Sequence, residues 1–478
     1  MVKKSLTFVG VLSALYFVSI FLMNSVYVGG FSILQLATGN PIVPHTHGFT
    51  LERFREAENV SDVDILFIGS SHSYQSFDPA VFSRLGVTSF NLGSGSQAPV
   101  NTYYLLEKYW DQFDPKLVIF ELYPSAMELD GLEGLYELLP NRELSTDLFK
   151  MTLAAPSPHA FNALVGQIFT ELTSPVSKAV QQAIPNQEYR SGGYVYSQII
   201  HTKDFFGERK PVEVSGKQIE YLKRVIDLVL AQGSNILLVT APLPELRRAA
   251  ITNYRDVVEQ FSAIAFERGV QYIDYNNSLT LNQIDDFRDH NHLNANGAKI
   301  FSYTVIDSLI DMRQRFTRLI IKTENASELV CGRGVAALSS GNFATALEDF
   351  ALALELNPEN HTAYLRRGIA YTGARMLEQA FADFDRARQL SPADPLIGYH
   401  RGLAHLENGQ ADSAMYEFKR FLTVEPSSAQ AHYNLARIYD REGMRKLAVE
   451  EYTEFIRYAD GQLSAFVEPV KRRISQLQ

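Results

Sequence analysis

From Asp64 onward, short unbroken apolar runs alternate with amphipathic stretches. DILFI (64–68), TSFNL (88–92), LVIFEL (117–122), NILLVT (235–240) and VQYID (270–274) read as buried strands, because each is short, continuous and rich in β-branched or aromatic residues. Between them, residues 99–113, 218–232 and 254–267 carry apolar positions at helical spacing, and a further helix is expected from Asn294 to about Met312. Strands alternating with helices predict a parallel sheet covered on both faces. Residues 125–215 interrupt this rhythm with helical pieces and Pro-rich breaks such as AAPSPHA. An insertion of that size after the third strand suits a substrate lid, with structural decoration as the plainer alternative.

The carboxy-terminal third has another period. Pro358, Pro392 and Pro426 stand 34 apart, and Gly334, Gly368, Gly402 and Ala436 keep the same step. So do Ala346, Ala380, Ala414 and Ala448, and the series Phe350, Phe384, Phe418 and Tyr452. Small residues let the two helices of a hairpin approach closely, and the proline ends the second helix. This is the pattern of the tetratricopeptide repeat. It predicts an all-α solenoid whose concave face takes a protein partner.

The amino terminus differs again. Lys3 and Lys4 precede an uncharged run of 19 residues, Ser5–Met23, close to the roughly 20 a helix needs to cross a bilayer. The basic flank predicts that the amino end stays in the cytoplasm. A membrane anchor is favoured over a cleaved signal peptide, since the run exceeds the usual apolar core and no small-x-small site follows closely. A buried soluble helix is the third alternative. The expected organisation is a cytoplasmic start and transmembrane anchor (1–24), a connector (25–61) and an α/β domain (62–312, with the 125–215 insertion). A linker (313–325) and the repeats (326–478) follow. The bulk of the chain is then periplasmic or otherwise extracytoplasmic.

Composition narrows the partners. The chain is 46% hydrophobic and 21% charged, with a net charge of −10. A nucleic-acid-binding face needs a basic excess, so no nucleic acid is expected. The single cysteine, Cys331, allows no disulfide framework, no cysteine-based metal site and no lipidated amino-terminal cysteine. It falls in the first repeat helix, where a buried thiol is expected.

Two segments carry candidate chemistry. ILFIGSSHSYQSFDP (65–79) places hydroxyls directly after the first strand, at the sheet edge where ligands bind in open α/β folds. DFRDHNHLNANGAKIFS (286–302) holds Asp289 and His292 three apart before a helix. That spacing sets a carboxylate beside the imidazole it would orient, and the imidazole could then deprotonate a serine. His290 lacks the spacing. The plainer alternatives are an ordinary strand-to-helix turn and a surface loop capped by Asn291 or Asn294. Zinc bound by Asp289, His290 and His292 is a third, but no further His or Cys cluster stands ready to complete it.

Order and placement of these pieces resemble the SGNH (GDSL-like) hydrolase superfamily over roughly residues 62–312. The resemblance implies a three-layer, flavodoxin-like α/β fold. Ser71 falls on the family's nucleophile, Ser70 on a position usually held by Asp, His292 on the general base and Asp289 on its orienting acid. NLGSGSQ (91–97) falls on the glycine block, implying that the backbone N–H groups of Ser71 and Gly95, or alternatively Gly93, hold an oxyanion. The third block departs from the family. FELYPSAM (120–127) has no Asn where the family has one, and losing such a donor can cost ~100- to 1,000-fold in rate. Gly-Ser-Ser with this third block is similar to the branch of D-alanyl transfer and alginate O-acetylation proteins. Those relatives are membrane-anchored and move acyl groups onto surface glycans. The resemblance therefore implies serine-dependent acyl transfer, or ester hydrolysis, between an acyl donor and a cell-surface glycan, with no cofactor and no metal. A catalytically weak SGNH-like binding or assembly factor, or a repeat scaffold with an incidental α/β domain, are the alternatives. His72 is expected only to wall the pocket.

Overall fold

The computed structural model describes residues 2–28, 31–33, 48–155, 157–173, 186–199, 209–279, 281–312, 323–459, 463 and 466–478. Most of the connector motif GNPIVPHTHG and of the 313–325 linker lies outside these residues, as do parts of the insertion. The chain divides into two compact units, Met1–Ile321 and Lys322–Gln478.

In the first unit five strands, β1 (Ile65–Ile68), β2 (Ser89–Asn91), β3 (Leu117–Glu121), β4 (Asn235–Thr240) and β5 (Gln271–Asp274), form one sheet in the order β2-β1-β3-β4-β5. Every pairing is parallel. The continuous apolar runs have the reason expected of them. Alternate residues feed opposite faces, and both faces are covered. Leu66, Ile68, Val118, Phe120, Ile236 and Leu238 share a core with the helices Pro99–Phe113, Gly216–Ala231 and Tyr254–Glu267. On the other face Phe67 stacks on Phe77 at 4.5 Å, and Phe77 meets Phe301 of the helix Ala295–Asp311 at 5.2 Å. The order 2-1-3-4-5 reverses direction between β1 and β3, and such a switch point is where doubly wound sheets open a crevice at their carboxyl ends.

The insertion is not a separate lid where it is described. Leu135, Leu138, Leu148, Met151 and Leu164 join the same core as the sheet. Its hairpin, Gln187–Arg190 with Tyr194–Ser197, is tied to the sheet edge by the Asn91 N–H donating to Gly192 O at 2.9 Å. Burial of apolar side chains, worth about 1.5–3 kcal/mol each, makes this segment part of the body.

The expected membrane span is also corrected. Among the described residues no helix is long and apolar enough to cross a membrane. The amino-terminal helix runs Val2–Ser25. Ile20 packs on Val165 of the insertion helix Pro158–Thr173, with Tyr16, Met23 and Phe169 alongside. Val11, Leu12, Leu15, Val18 and Leu22 stay exposed.

Among the described residues the second unit is four helix hairpins and a closing helix. The hairpins are Thr323–Ser339 with Phe343–Leu356, His361–Gly373 with Leu377–Leu390, Pro395–Glu407 with Ala411–Leu422, and Ala429–Arg441 with Arg445–Tyr458. Val467–Leu477 follows. A Cβ on Gly334 or Gly368 would stand 2.7 Å from the ring of Phe350 or Phe384, so the 34-residue glycine and phenylalanine series are two sides of one contact. A second register accompanies it. Arg333, Arg367 and Arg401 pair with the buried acids Asp349, Asp383 and Glu417 at 2.7, 2.7 and 2.9 Å. In the fourth hairpin Leu435 takes the arginine's place, and Glu451 pairs instead with His432 at 2.6 Å.

Candidate active site

The site grows from the end of β1. Gly69 has φ of 138°, and a Cβ there would lie 2.7 Å from Glu121 O and 2.9 Å from Glu121 Oε2. Only glycine lets the chain turn so closely over β3. Ser70 then caps the short helix Ser71–Ser76, its hydroxyl accepting from the His72 N–H at 3.3 Å. Ser71, half-buried, begins that helix.

The 289–292 loop brings the other two side chains. Ser71 Oγ lies 2.8 Å from His292 Nε2, across 221 positions of sequence. His292 Nδ1 lies 3.1 Å from both oxygens of Asp289. Asp289 Oδ1 also accepts the backbone N–H groups of Asn291 and His292, each at 2.8 Å, and Arg288 Nε stands 3.0 Å from Oδ2. Burial alone would raise the Asp289 carboxyl. The hydrogen bond and charge of His292, helped by Arg288, instead hold it well below the usual carboxylate range. An ionised Asp289 accepts from Nδ1–H, which leaves the Nε2 lone pair facing the Ser71 hydroxyl. Asn294 does cap the following helix, accepting from Asn296 N and Gly297 N; the cap and the Asp289–His292 pair coexist on one loop. His290 is exposed. Among the described residues no group of three or more His, Cys, Asp or Glu side chains is placed to hold a metal ion.

The glycine block separates the two oxyanion candidates. The Gly93 N–H is taken by the Asn91 side chain, donating to Oδ1 at 2.9 Å; Asn91 is in turn tied to Ser73 through both its side-chain atoms. Gly93 is thus a poor choice, because its donor is already satisfied inside the turn. The Gly95 and Ser71 N–H groups bond to no described residue. Gly95 has an unforeseen neighbour: a Cβ there would lie 3.7 Å from Oε2 of the buried Glu137, which also accepts from the Thr50 hydroxyl. Glu137 comes from the insertion, and nothing local in the sequence pairs it with residue 95.

Three more residues went unread. Glu121 ends β3, fully buried, and its Oε2 lies 2.9 Å from Ser70 Oγ and 3.2 Å from Ser70 N. Burial pushes its carboxyl up to about 8, against the pull of those two hydrogen bonds. A carboxylate at the end of an otherwise apolar strand was the available signal. Tyr123 stacks on His72 with ring centroids 4.0 Å apart, and its hydroxyl donates to Asn291 Oδ1 at 3.0 Å. Arg247 donates to the same hydroxyl. His72 itself sits 4.7 Å from the His292 ring and is kept neutral, first by burial and then by the charge of His292.

Comparison with known proteins bears on the second unit. No curated protein matches the chain significantly. The solved tetratricopeptide-repeat domain of OM64 from Arabidopsis is 25% identical, covering 25% of this chain and 98% of its own, with a TM-score of 0.24. MamA from Desulfovibrio magneticus RS-1 is 20% identical over 33% of this chain and 85% of its own, TM-score 0.28. A tetratricopeptide-repeat protein of Thermus thermophilus is 21% identical over 38% and 94%, TM-score 0.28. Residues 331–395 and 399–461 match the family described as Tetratricopeptide repeat. The carboxy-terminal region of this chain is a tetratricopeptide-repeat array.

Proposed function

We propose that the chain joins a serine-dependent acyl-handling site to a partner-binding repeat array. The repeats supply the scaffold part. Their cleft of about 450 Å³, lined in part by Asn434, Arg437, Asp440, Arg441, Tyr452 and Arg473, suits a polar segment of a protein partner. For the first unit, one observation carries the reading: Ser71, His292 and Asp289 stand in a single hydrogen-bonded line at the switch point of the sheet. In this reading Ser71 Oγ attacks an ester carbonyl and passes its proton to His292 Nε2 while Asp289 steadies the imidazolium; the ester C–O bond then breaks, His292 gives the proton to the departing alcohol, and an acyl-Ser71 ester is left. The N–H groups of Ser71 and Gly95 receive the oxyanion. A glycan hydroxyl, or water, then takes the acyl group from Ser71 and frees its hydroxyl. The overall layout resembles SGNH enzymes that acylate surface glycans. The exposed apolar side chains of the helix Val2–Ser25 support contact with a membrane surface, and a location outside the cytoplasm is proposed for the remainder.

The test is a fluorophosphonate probe and a small chromogenic acetyl ester applied to the purified full chain. Labelling of wild type that disappears in Ser71→Ala and drops at least a hundredfold in His292→Ala supports the reading. A wild-type chain that takes no label favours the second reading, a scaffold whose α/β unit only binds.

A further inference from the structure

The two halves of the site come from distant segments, and something must hold the 289–292 loop against the Ser70–Ser71 turn. The fully buried connection to that loop's main chain is His72, whose Nε2 lies 3.0 Å from Asn291 O. A carbonyl only accepts, so Nε2 carries the proton and Nδ1 presents a lone pair. Ser70 Oγ stands 3.2 Å from that lone pair and 2.9 Å from Glu121 Oε2. The serine has one proton for two neighbours. If it donates to His72, the hydroxyl link to Glu121, beside the Ser70 N–H at 3.2 Å, is made only when the carboxyl itself carries a proton and donates to Ser70 Oγ. The alternative, a carboxylate and a His72 imidazolium, would bury two charges beside a His292 that must itself become cationic, which burial opposes.

We propose that Glu121, Ser70 and His72 form a buried hydrogen-bonded bridge from the sheet to the Asp289–His292 loop, that it closes only while Glu121 holds its proton, and that His72 is therefore a positioning residue for the acyl-transfer site. The inference rests on the reading of Ser71 as nucleophile. Groups facing the bridge are few. His72 meets His292, Asp289, Arg247 and Tyr123; Glu121 meets Ser70, with Tyr272 further off. Removing the Glu121 proton leaves one hydroxyl hydrogen for two acceptors; the carboxylate, which keeps the Ser70 N–H at 3.2 Å, draws that hydrogen at 2.9 Å, and the bridge opens at His72 Nδ1. The alkaline side of the activity profile then falls with a midpoint near 8.

The decisive measurement is histidine-ring NMR on the ¹⁵N-histidine-labelled full chain, read beside the pH dependence of fluorophosphonate labelling. The bridge requires a neutral His72 protonated on Nε2 that does not titrate between pH 5 and 7. It also requires Glu121→Gln to lose the alkaline limb that wild type shows. His72→Gln, which keeps a donor toward Asn291 O, should stay close to wild type. His72→Ala should label roughly a hundredfold more slowly, the loss a 1 Å misplacement brings, and, with no bridge left to open, should lose the alkaline limb near 8. A His72 ring protonated on Nδ1, an alkaline limb surviving in Glu121→Gln, or His72→Ala labelling at the wild-type rate would each overturn the proposal. A wild-type chain that takes no label sinks the nucleophile assignment alone, since the ring spectra still decide whether the bridge exists.

Discussion

Asp289 and Glu121 are both carboxyls near one site, yet their surroundings drive them apart. Asp289 has an imidazole, a guanidinium and two backbone N–H groups to hold its charge, while Glu121 has one serine. If Asp289 orients His292, Asp289→Asn should leave the fold intact and cut labelling about ten-thousandfold, as a wrong tautomer does; melting curves and probe kinetics on the same sample separate the two effects. Glu121 also acts on stability. Its folded value is raised above the unfolded one, so its contribution is complete below about pH 4.5 and is lost as pH rises towards 8, by roughly 1 kcal/mol per pH unit. Urea midpoints of wild type should fall across that window relative to Glu121→Gln. A constant difference between the two would show that Glu121 is ionised in the native state. At this scale sequence was an uneven guide. Ser71, Asp289 and His292 carry their spacing with them, whereas Glu121 and Glu137 gain meaning only from what β3 and the insertion fold against. The engagement of the Gly93 N–H by a side chain, Asn91, is something no spacing rule weighs.

Strands and helices were the most legible features. All five strands lie within a residue or two of the apolar runs, because a strand buried on both faces must be apolar throughout; Gln271–Asp274, at the sheet edge, is only partly buried rather than buried as expected. The helix Pro99–Phe113 begins and ends where its periodicity does. The insertion's helices are as apolar as a lid's would be, and only tertiary contacts reveal that Leu135, Leu148 and Leu164 join the apolar cluster of the helix Pro99–Phe113 and the sheet. At Gly69 the element and the site depend on the same atom. Gly69→Ala must find room for a methyl group against Glu121 at an unfavourable φ, so a loss of about 2–4 kcal/mol is expected. In the repeats, removing Arg367 strands the buried Asp383, and Arg367→Ala should cost about 3 kcal/mol. Both changes can be read from denaturant midpoints. The arginine–acid register at a 16-residue separation was present in the sequence but hidden behind the stronger glycine, alanine and aromatic series.

The whole chain holds two separately compact bodies, and its thermal unfolding should show this. Two calorimetric transitions are expected. Gly69→Ala should lower only one and Arg367→Ala only the other. A single transition moved by both variants would mean that the units melt together. The division also matches the proposed duties, with the candidate acyl-handling site in residues up to Ile321 and the repeat array beyond it. Cys331 lies in the second body, buried, and its thiol is pushed up to about 11 by that burial. At neutral pH it offers almost no thiolate to an alkylating dye. The protein is therefore close to a blank background for site-directed spectroscopy: a cysteine introduced on any exposed surface would be modified first, without deleting the native one and disturbing the helix that hides it.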